Sequence, residues 1–243
     1  MENKNIIITG VSKGLGLEIA KVILQKGYSV FGISRTLTSE LENVISIYPD
    51  NFKWLGYDLS DSENVNKQIF KEFIGKNTII HGFVNNAAQA YDDIVTNLNI
   101  KKLEQMYRVN VFTPMAITKY AIRQMLLHNN KGSIVHISSI SVHTGYKGLA
   151  MYASTKGALE AFSKNTAREW GEMGIRSNCL VAGFMETEMS ATLTTEQKNR
   201  IYNRTALKKA TSVNSVAEAV FFLISEQSCS ITGQNIFVDS GTI

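Results

Sequence analysis

The sequence predicts an α/β fold built on a doubly wound, seven-stranded parallel sheet with helices on both faces. Short β-branched runs alternate with segments of helical periodicity along the chain, which is the pattern of successive βαβ units. Several of these runs, such as Ile6–Ile8 and Ile79–Ile80, are apolar on both faces. Such strands belong in a parallel sheet that helices cover on each side.

The strand candidates are short runs bounded by turn-forming residues. They are Asn5–Thr9, Ser29–Ser34, Phe52–Leu59, Thr78–Asn85, Gly132–Ser139, Arg176–Val181 and Asn235–Asp239. Helical periodicity marks Leu15–Gln25, Glu63–Ile74, Ile100–Leu127, Met151–Met173 and Val213–Ser225, the last with Ser212 or Asn214 as N-cap. Doubly wound sheets bind ligands beyond the carboxyl ends of their strands, so we expect the chemistry there.

Length and composition indicate one globular unit. With 243 residues, 44% hydrophobic and 19% charged, the chain can bury one large core, and we expect a single domain over residues 1–243. No apolar run approaches the roughly 18 residues of a membrane span, and Met1 is followed by polar residues. We therefore expect a cytoplasmic protein that has no membrane partner.

Neither a metal nor a nucleic acid is indicated. Cys179 and Cys229 lie far apart, and no cysteine or histidine spacing matches a metal site, so we expect no bound metal. The 25 basic and 21 acidic residues give a net charge of +4. Because the basic residues are scattered along the chain, we expect no nucleic-acid partner.

The first strand ends in a glycine-rich loop that leads directly into a helix. Glycines allow a tight turn and a close approach of the backbone to a pyrophosphate, and the helix N-terminus offers unpaired N–H groups to the negative charge. The alternative is an ordinary glycine turn, which the flanking strand and helix disfavour. The loop reads Thr9-Gly10-Val11-Ser12-Lys13-Gly14-Leu15-Gly16.

The spacing Thr-Gly-x-x-x-Gly-x-Gly resembles the cofactor motif of the short-chain dehydrogenases/reductases, and later motifs extend the resemblance over nearly the whole chain. The resemblance implies a single-domain Rossmann fold that binds NAD(P). The cofactor-binding residues that it implies in this loop are Gly10, Ser12, Lys13, Gly14, Leu15 and Gly16.

The residue after the second strand indicates which nicotinamide cofactor is used. Enzymes that prefer NAD hold the ribose 2′-hydroxyl with an acid about 20 residues beyond the glycines, whereas a basic residue accommodates a 2′-phosphate. This chain has Arg35 there, and Lys13 is placed to add a second charge. The alternative is a solvated arginine at a strand end. We expect NADP(H).

Two further motifs resemble the family's cofactor site. Asp58-Leu59, which closes the third strand, resembles the pair that contacts the adenine. Asn85-Asn86-Ala87-Ala88, after the fourth, resembles the family's Asn-Asn-Ala-Gly, whose middle residues, here Asn86 and Ala87, line the cofactor. Ala88 stands where the family carries glycine.

Tyr152 and Lys156 are the strongest chemical signal. A spacing of four residues places the phenol and the ammonium on one helix face, although most pairs of this kind are surface contacts. A nearby ammonium stabilises a phenolate, so we expect it to lower the tyrosine pKa and make Tyr152 a proton donor at neutral pH. The preceding strand ends in Ser138-Ser139, and adjacent strand residues face opposite ways, so one serine serves the site.

The resemblance selects Ser139, because the family's serine lies thirteen residues before its tyrosine. It also implies Asn110 as fourth member of the set, for which a helix-bending polar residue is the alternative. The implied mechanism has Ser139 bonding the substrate carbonyl, Tyr152 as general acid, Lys156 holding the nicotinamide ribose, and Asn110 ordering a water. The cofactor supplies the hydride.

The substrate side resembles bacterial 3-oxoacyl-[acyl-carrier-protein] reductases. The run Ala182-Gly183-Phe184-Met185-Glu186-Thr187-Glu188-Met189 is similar to their Pro-Gly-Phe-Ile-Glu-Thr-Asp-Met, which implies that Met185 and Thr187 face the nicotinamide. Ala182 replaces the proline, so we expect the substrate loop, roughly Glu188–Thr205, to be more mobile. His143 could hydrogen-bond a polar substrate.

Three functions stay open. The first is NADPH-dependent reduction of a small-molecule or acyl-carrier-linked carbonyl, foremost a 3-oxoacyl thioester in fatty-acid biosynthesis. The second is a reductase or dehydrogenase that acts on sugars, polyols or other small alcohols. This alternative stays open because Thr205–Ser212 departs from the sequence pattern of the 3-oxoacyl reductases. The third is a catalytically silent NADPH-binding regulator. The resemblance further implies a homotetramer.

Overall fold

The computed structural model describes residues 4–187 and 193–243 and confirms the predicted sheet. The strands are β1 Asn5–Thr9, β2 Ser29–Ser34, β3 Phe52–Gly56, β4 Gly82–Asn85, β5 Gly132–Ser139, β6 Ile175–Ala182 and β7 Asn235–Val238. All neighbouring pairs are parallel, in the order β3-β2-β1-β4-β5-β6-β7. The order reverses between β1 and β4, which opens a crevice for a ligand at their carboxyl ends.

Helices cover both faces of the sheet. They are α1 Gly14–Gln25, α2 Ser39–Ile47, α3 Ile100–Tyr107, α4 Thr113–Leu127, α5 Ser141–Thr144, α6 Ala150–Trp170, α7 Thr195–Arg204 and α8 Val213–Ile224. A π-helical segment, Val65–Ile74, lies between β3 and β4. None of the described helices is long and apolar enough to cross a membrane.

The isoleucine run of β1 divides the core into two layers. Ile6 and Ile8 pack in a cluster with apolar residues of α1 and α8, whereas Ile7 packs in a second cluster with residues of the π-helical segment and α4. All three side chains are fully buried. A strand that is apolar on both faces therefore lies between two helical layers, as the sequence predicted.

The stretch predicted as one helix, Ile100–Leu127, is helical throughout, but a π-helical turn, Arg108–Phe112, interrupts its α-helical hydrogen bonding between α3 and α4. Pro114 has no N–H to donate to the carbonyl of Asn110 four residues earlier, so a regular α-helical ladder cannot run through this point. The irregular turn thus coincides with a residue predicted to be functional, as π-turns frequently do.

Other boundaries shift by a few residues. β4 begins four residues later than predicted, at Gly82, and β3 ends at Gly56, so Asp58-Leu59 follow the strand. Ser212, not Asn214, caps α8, because its side chain accepts the N–H of Ser215. The helices α2, α5 and α7 were not predicted.

Candidate active site

The predicted site residues converge on one edge of the sheet. The glycine loop follows β1, Arg35 follows β2, and Asp58 follows β3. Asn86 follows β4, Ser139 ends β5, and the substrate-side run follows β6. Tyr152 and Lys156 lie in the first two turns of α6, which packs against β5 and β6. The predicted site residues therefore lie together at the carboxyl edge, where doubly wound sheets bind their ligands.

The glycine loop has the shape of a phosphate cradle. Gly10 and Gly14 adopt φ angles of +77° and +57°, in the region that favours glycine. A Cβ atom on Gly16 would lie 2.0 Å from the carbonyl oxygen of Gly10. Helix α1 begins at Gly14, so its first N–H groups face the loop. The backbone fits an anionic ligand that approaches closely.

Asn86 joins the cradle to the end of β4. Its Nδ2 donates to the carbonyl oxygens of Thr9 at 3.0 Å and Gly10 at 3.3 Å. In return, the hydroxyl oxygen of Thr9 accepts the N–H groups of Asn86 and Ala87. Thr9 is fully buried, and sequence reasoning missed its role although it opens the glycine motif. This reciprocal bonding fixes the two halves of the crevice relative to each other.

The far end of the cradle is basic. Arg35 and Lys13 are both exposed, and the run from Arg35 to Thr38 contains no acid. The hydroxyl of Thr38 donates to the carbonyl of Ser12 at 2.6 Å, which holds the start of α2 beside the glycine loop. This positively charged, solvent-facing surface fits a phosphate better than a neutral hydroxyl.

Asp58 and Leu59 form an ordered turn after β3. The carboxylate of Asp58 accepts the N–H of Ser60 at 2.9 Å. Leu59 is buried, and its carbonyl accepts the hydroxyl of Thr113 at 2.7 Å. The turn is thereby tied to the first residue of α4, next to the π-helical turn.

Asn110 is fully buried, and its side chain is engaged by protein groups. Its Oδ1 accepts the N–H of Gln89 at 2.8 Å, and its Nδ2 donates to the carbonyl of Gln89 at 2.9 Å and to the hydroxyl of Thr155 at 3.0 Å. That hydroxyl donates to the carbonyl of Tyr152. The side chain therefore joins the loop after β4 to α6. No sequence motif indicated its partners Gln89 and Thr155.

Lys156 is buried between α6 and the sheet, with 2% of its surface exposed. Its ammonium donates to the carbonyl oxygen of Ile137 at 2.8 Å and lies 5.6 Å from the centre of the Tyr152 ring. Burial lowers the pKa of Lys156 to about 8. The lysine thus sits beside the tyrosine and reaches the strand that ends in Ser139.

The expected lowering of the tyrosine pKa is wrong for the protein alone. Burial of the phenol, and secondly the negative charge of Asp92, raise the pKa of Tyr152 above its usual value. Lys156 still carries its charge at neutral pH, because its pKa is about 8, but burial and the charge of Asp92 prevail over it. Tyr152 consequently holds its proton at neutral pH, which suits a proton donor.

The hydroxyl of Ser139 accepts two hydrogen bonds. The N–H of Ser141 lies 3.2 Å away, and the hydroxyl of Ser141 lies 3.0 Å away. Neighbouring Ser138 faces the other way, as the strand geometry predicted, and its hydroxyl donates to the carboxylate of Glu160. Glu160 also accepts from Asn235 and from Nε2 of His143. Nε2 of His143 is therefore engaged by Glu160.

The residues after β6 are held by backbone and side-chain bonds. The N–H of Gly183 donates to Val238, and the carbonyl of Phe184 accepts the N–H of Thr211. Met185 packs against the core cluster of α1 and α8, and Thr187 is half-buried. In the predicted substrate loop, residues 188–192 lie outside the described part of the chain, and Thr195–Arg204 forms α7.

A carboxylate that no motif indicated acts on the phenol of Tyr152. The N–H of Asp93 donates to the carbonyl of Gly148 at 2.9 Å, which joins the loop after β4 to the loop before α6. Its neighbour Asp92 is exposed, yet partial burial of its carboxyl raises its pKa. Its charge reaches the phenol of Tyr152, as the raised tyrosine pKa shows. The loop after β4 therefore places a negative charge that acts on the phenol of Tyr152.

Comparisons with known proteins agree with this geometry. A family model described as Enoyl-(Acyl carrier protein) reductase matches residues 10–242. The 3-oxoacyl-[acyl-carrier-protein] reductase FabG of Buchnera aphidicola is 30% identical, with 99% of this chain and 98% of that protein aligned. The enzyme of the same name from Salmonella typhimurium is 31% identical over 99% of this chain and 97% of its own.

Solved structures are similar over the same extent. ElxO with NADP bound superposes with a TM-score of 0.88 at 28% identity, covering 99% of this chain and 98% of that one. A gluconate 5-dehydrogenase from Burkholderia cenocepacia, in complex with NADP and tartrate, superposes with a TM-score of 0.92 at 25% identity, covering 100% and 96%. With a family model over nearly its whole length and full-length relatives at 30% identity or more, this chain belongs to the short-chain dehydrogenase/reductase family of oxidoreductases.

Proposed function

We propose that the protein uses NADPH to reduce the ketone of a 3-oxoacyl thioester to an alcohol. The observation that carries the proposal is the placement of a protonated, half-buried tyrosine beside a buried lysine on α6, at the end of the strand that presents Ser139. A carbonyl that enters this edge meets a hydrogen-bond donor and an acid together.

NADP(H) is the cofactor that the cradle fits. The backbone of the loop from Gly10 to Gly16 would hold the pyrophosphate, and Arg35 with Lys13 the 2′-phosphate. Asp58, Leu59, Asn86 and Ala87 would line the adenine and ribose side, and Met185 and Thr187 the nicotinamide side. When bound, the cofactor supplies the hydride. Tyr152 and Lys156 would contact the nicotinamide ribose.

The protein's own groups handle the proton. As the carbonyl carbon receives the hydride, the carbonyl oxygen gains charge, which a hydrogen bond from Ser139 stabilises. Tyr152 then gives its phenolic proton to that oxygen, and the buried ammonium of Lys156 compensates for the phenolate that remains. Because the phenol is protonated at neutral pH, Tyr152 enters the step as an acid.

We propose that Asn110 serves this step in two ways, through its side-chain hydrogen bonds and through its backbone carbonyl. Its side chain is occupied by Gln89 and Thr155, so it holds the loop and α6 in place. Its backbone carbonyl has no α-helical partner, because Pro114, four residues later, has no N–H to donate. We propose that this carbonyl holds a water molecule, which would return a proton to the site. This refines the expectation that Asn110 orders a water.

The substrate class is supported by the named relatives and by charge. Two relatives at 30% and 31% identity are 3-oxoacyl-[acyl-carrier-protein] reductases by name. The negative charge of Asp92 acts on the phenol of Tyr152, and it would oppose the binding of a sugar acid there. The similarity to a gluconate 5-dehydrogenase keeps sugar or polyol carbonyls as the second candidate. The complete set of Asn110, Ser139, Tyr152 and Lys156 argues against a silent regulator.

A substrate panel tests the proposal. NADPH oxidation is followed with acetoacetyl thioesters of coenzyme A and of acyl carrier protein, with neutral keto-sugars and with 5-ketogluconate. We expect the highest kcat/KM with a thioester. Turnover of keto-sugars without turnover of either thioester would replace the first candidate by the second. Binding of NADPH without turnover of any carbonyl would favour the regulator.

We further propose that residues 1–243 form one domain, because the strands of the single sheet come from residues 5 to 238. We also propose that the protein acts in the cytoplasm. A homotetramer and an acyl-carrier-protein partner remain proposals that follow from the family alone. Light scattering of the purified protein, with and without acyl carrier protein, tests both.

A further inference from the structure

We propose that Ser141 is a positioning residue for the reduction, which acts by making Ser139 the donor to the substrate carbonyl. This inference rests on the proposed function, in which Ser139 bonds that carbonyl. Ser141 is absent from the motifs that the sequence displays, and it reaches Ser139 from the first residue of α5.

The arrangement of hydrogen bonds around Ser139 is directional. A serine hydroxyl has one proton to donate and two lone pairs that accept. The N–H of Ser141, at 3.2 Å, and the hydroxyl of Ser141, at 3.0 Å, both donate to Ser139 Oγ. The acceptor positions are thus filled from one side, and the proton of Ser139 is left to point toward a different acceptor. A ketone oxygen is such an acceptor.

Ser141 itself is firmly held. It is 3% exposed, whereas Ser139 is only partly buried. The preceding N–H, of Ile140, donates to the carbonyl of Ala182 at 3.1 Å, which ties the start of α5 to the end of β6. The hydroxyl of Thr144 donates back to the carbonyl of Ile140 at 2.8 Å and closes the short helix. The donor groups are therefore fixed before a substrate arrives.

The hydrogen bond from Ser141 to Ser139 also strengthens the hydrogen bond that Ser139 donates to the substrate. When the hydroxyl of Ser141 donates to Ser139, the oxygen of Ser139 becomes more polarised, and its own proton becomes a better donor. The benefit grows as the carbonyl oxygen gains negative charge, so the contribution appears mainly in kcat and less in KM. Loss of one neutral hydrogen bond of this kind corresponds to a decrease of about five- to tenfold.

The experiment is a double-mutant cycle. Ser141→Ala, Ser139→Ala and the double variant are assayed with saturating NADPH and the best substrate of the panel, and NADPH binding is measured by fluorescence titration. We expect Ser141→Ala to lower kcat about five- to tenfold with unchanged NADPH affinity, and Ser139→Ala to lower it on the order of 10²-fold or more. In the Ser139→Ala background, Ser141→Ala should have no further effect.

Two matched variants separate positioning from simple loss of structure. Ser138→Ala removes the neighbouring hydroxyl, which bonds Glu160 on the opposite side, and should leave kcat near the wild-type value. Ser141→Thr keeps the hydroxyl and should restore most of kcat. The inference is overturned if Ser141→Ala leaves kcat unchanged, or if it lowers kcat equally with and without Ser139. If Ser139→Ala itself keeps full activity, the role of Ser139 in the proposed function is contradicted, and not only the role of Ser141.

Discussion

The ammonium of Lys156 and the carbonyl oxygen of Ile137 lie 2.8 Å apart, inside the protein. Ile137 stands two residues before Ser139 on β5, so the lysine links α6 to the strand that ends in Ser139. The bond supplies one partner to a cation that burial has removed from water. One such partner only partly offsets the loss of hydration, which explains a pKa lowered to about 8.

This relationship predicts a decline of activity in mildly alkaline solution. As the pH rises through about 8, Lys156 loses its proton, and the positive charge beside Tyr152 disappears. We expect kcat/KM of the wild-type protein to fall tenfold per pH unit above that point. The residual activity of Lys156→Arg should lack this decline, because arginine keeps its charge. An identical decline in Lys156→Arg would assign it to another group.

Replacement of the acid should separate binding from chemistry. In Tyr152→Phe the ring still packs, but no phenolic proton is available. We expect NADPH affinity within about twofold of the wild type and a loss of kcat of roughly 10²- to 10⁴-fold. Fluorescence titration and steady-state kinetics measure the two quantities. Unchanged turnover would remove Tyr152 from the proposed mechanism.

The cradle makes a steric prediction at Gly16. Its added Cβ would stand 2.0 Å from the carbonyl oxygen of Gly10, so the loop must shift in Gly16→Ala. We expect NADPH to bind at least about tenfold more weakly, because its pyrophosphate depends on the loop backbone. Gly171→Ala is the matched control, since it has a helical backbone and open space around the new methyl. Equal NADPH affinity in both variants would contradict the proposed cradle.

Arg35 should determine the choice between the two nicotinamide cofactors. Arg35→Glu removes the cation and introduces the acid that NAD-preferring enzymes use. We expect the KM for NADPH to rise about 10- to 100-fold, as for loss of a charge-assisted hydrogen bond, while the KM for NADH stays the same or falls. The NADH measurement is the internal control. A parallel rise for both cofactors would indicate damage to the loop and not to phosphate recognition.

Asp92 should act on substrate charge. In Asp92→Asn we expect kcat/KM for a keto acid to rise about three- to tenfold, a modest change because the carboxylate is solvent-exposed and screened. The value for a neutral ketone should change less than twofold. Asp50→Asn removes an exposed charge before β3, at the opposite edge of the sheet, and should alter neither. If the charge of the substrate made no difference, Asp92 would not control selectivity.

The sequence allowed the sheet and the site positions to be predicted because their signals are local. β1, β2 and β5 have the predicted bounds, since each is a compact apolar run between turn residues. Helix α7 was missed because it buries none of its residues and therefore carries no apolar periodicity. Helix α2 has only Leu41 and Val44 buried, too few to establish a period.

The rest depended on contacts between distant segments. The motifs indicated Asn110. Only the fold shows that its side-chain amide bonds Gln89 and Thr155. Asp92, in the loop after β4, and Tyr152, in α6, are separated by about 60 residues, so a local pattern cannot show the effect of one on the other. The same holds for the balance of burial and charge that raised, instead of lowered, the tyrosine pKa.

The clamp between Asn110 and Gln89 offers a spectroscopic reporter. Loop amides ordinarily exchange their hydrogens with solvent quickly, but the Gln89 amide is held by a fully buried side chain. Its deuterium uptake should therefore be slow in the resting protein, and should accelerate whenever α6 and the loop after β4 separate. One peptide in a mass-spectrometric exchange experiment would then report whether an inhibitor or variant leaves the catalytic walls assembled, without any need for turnover.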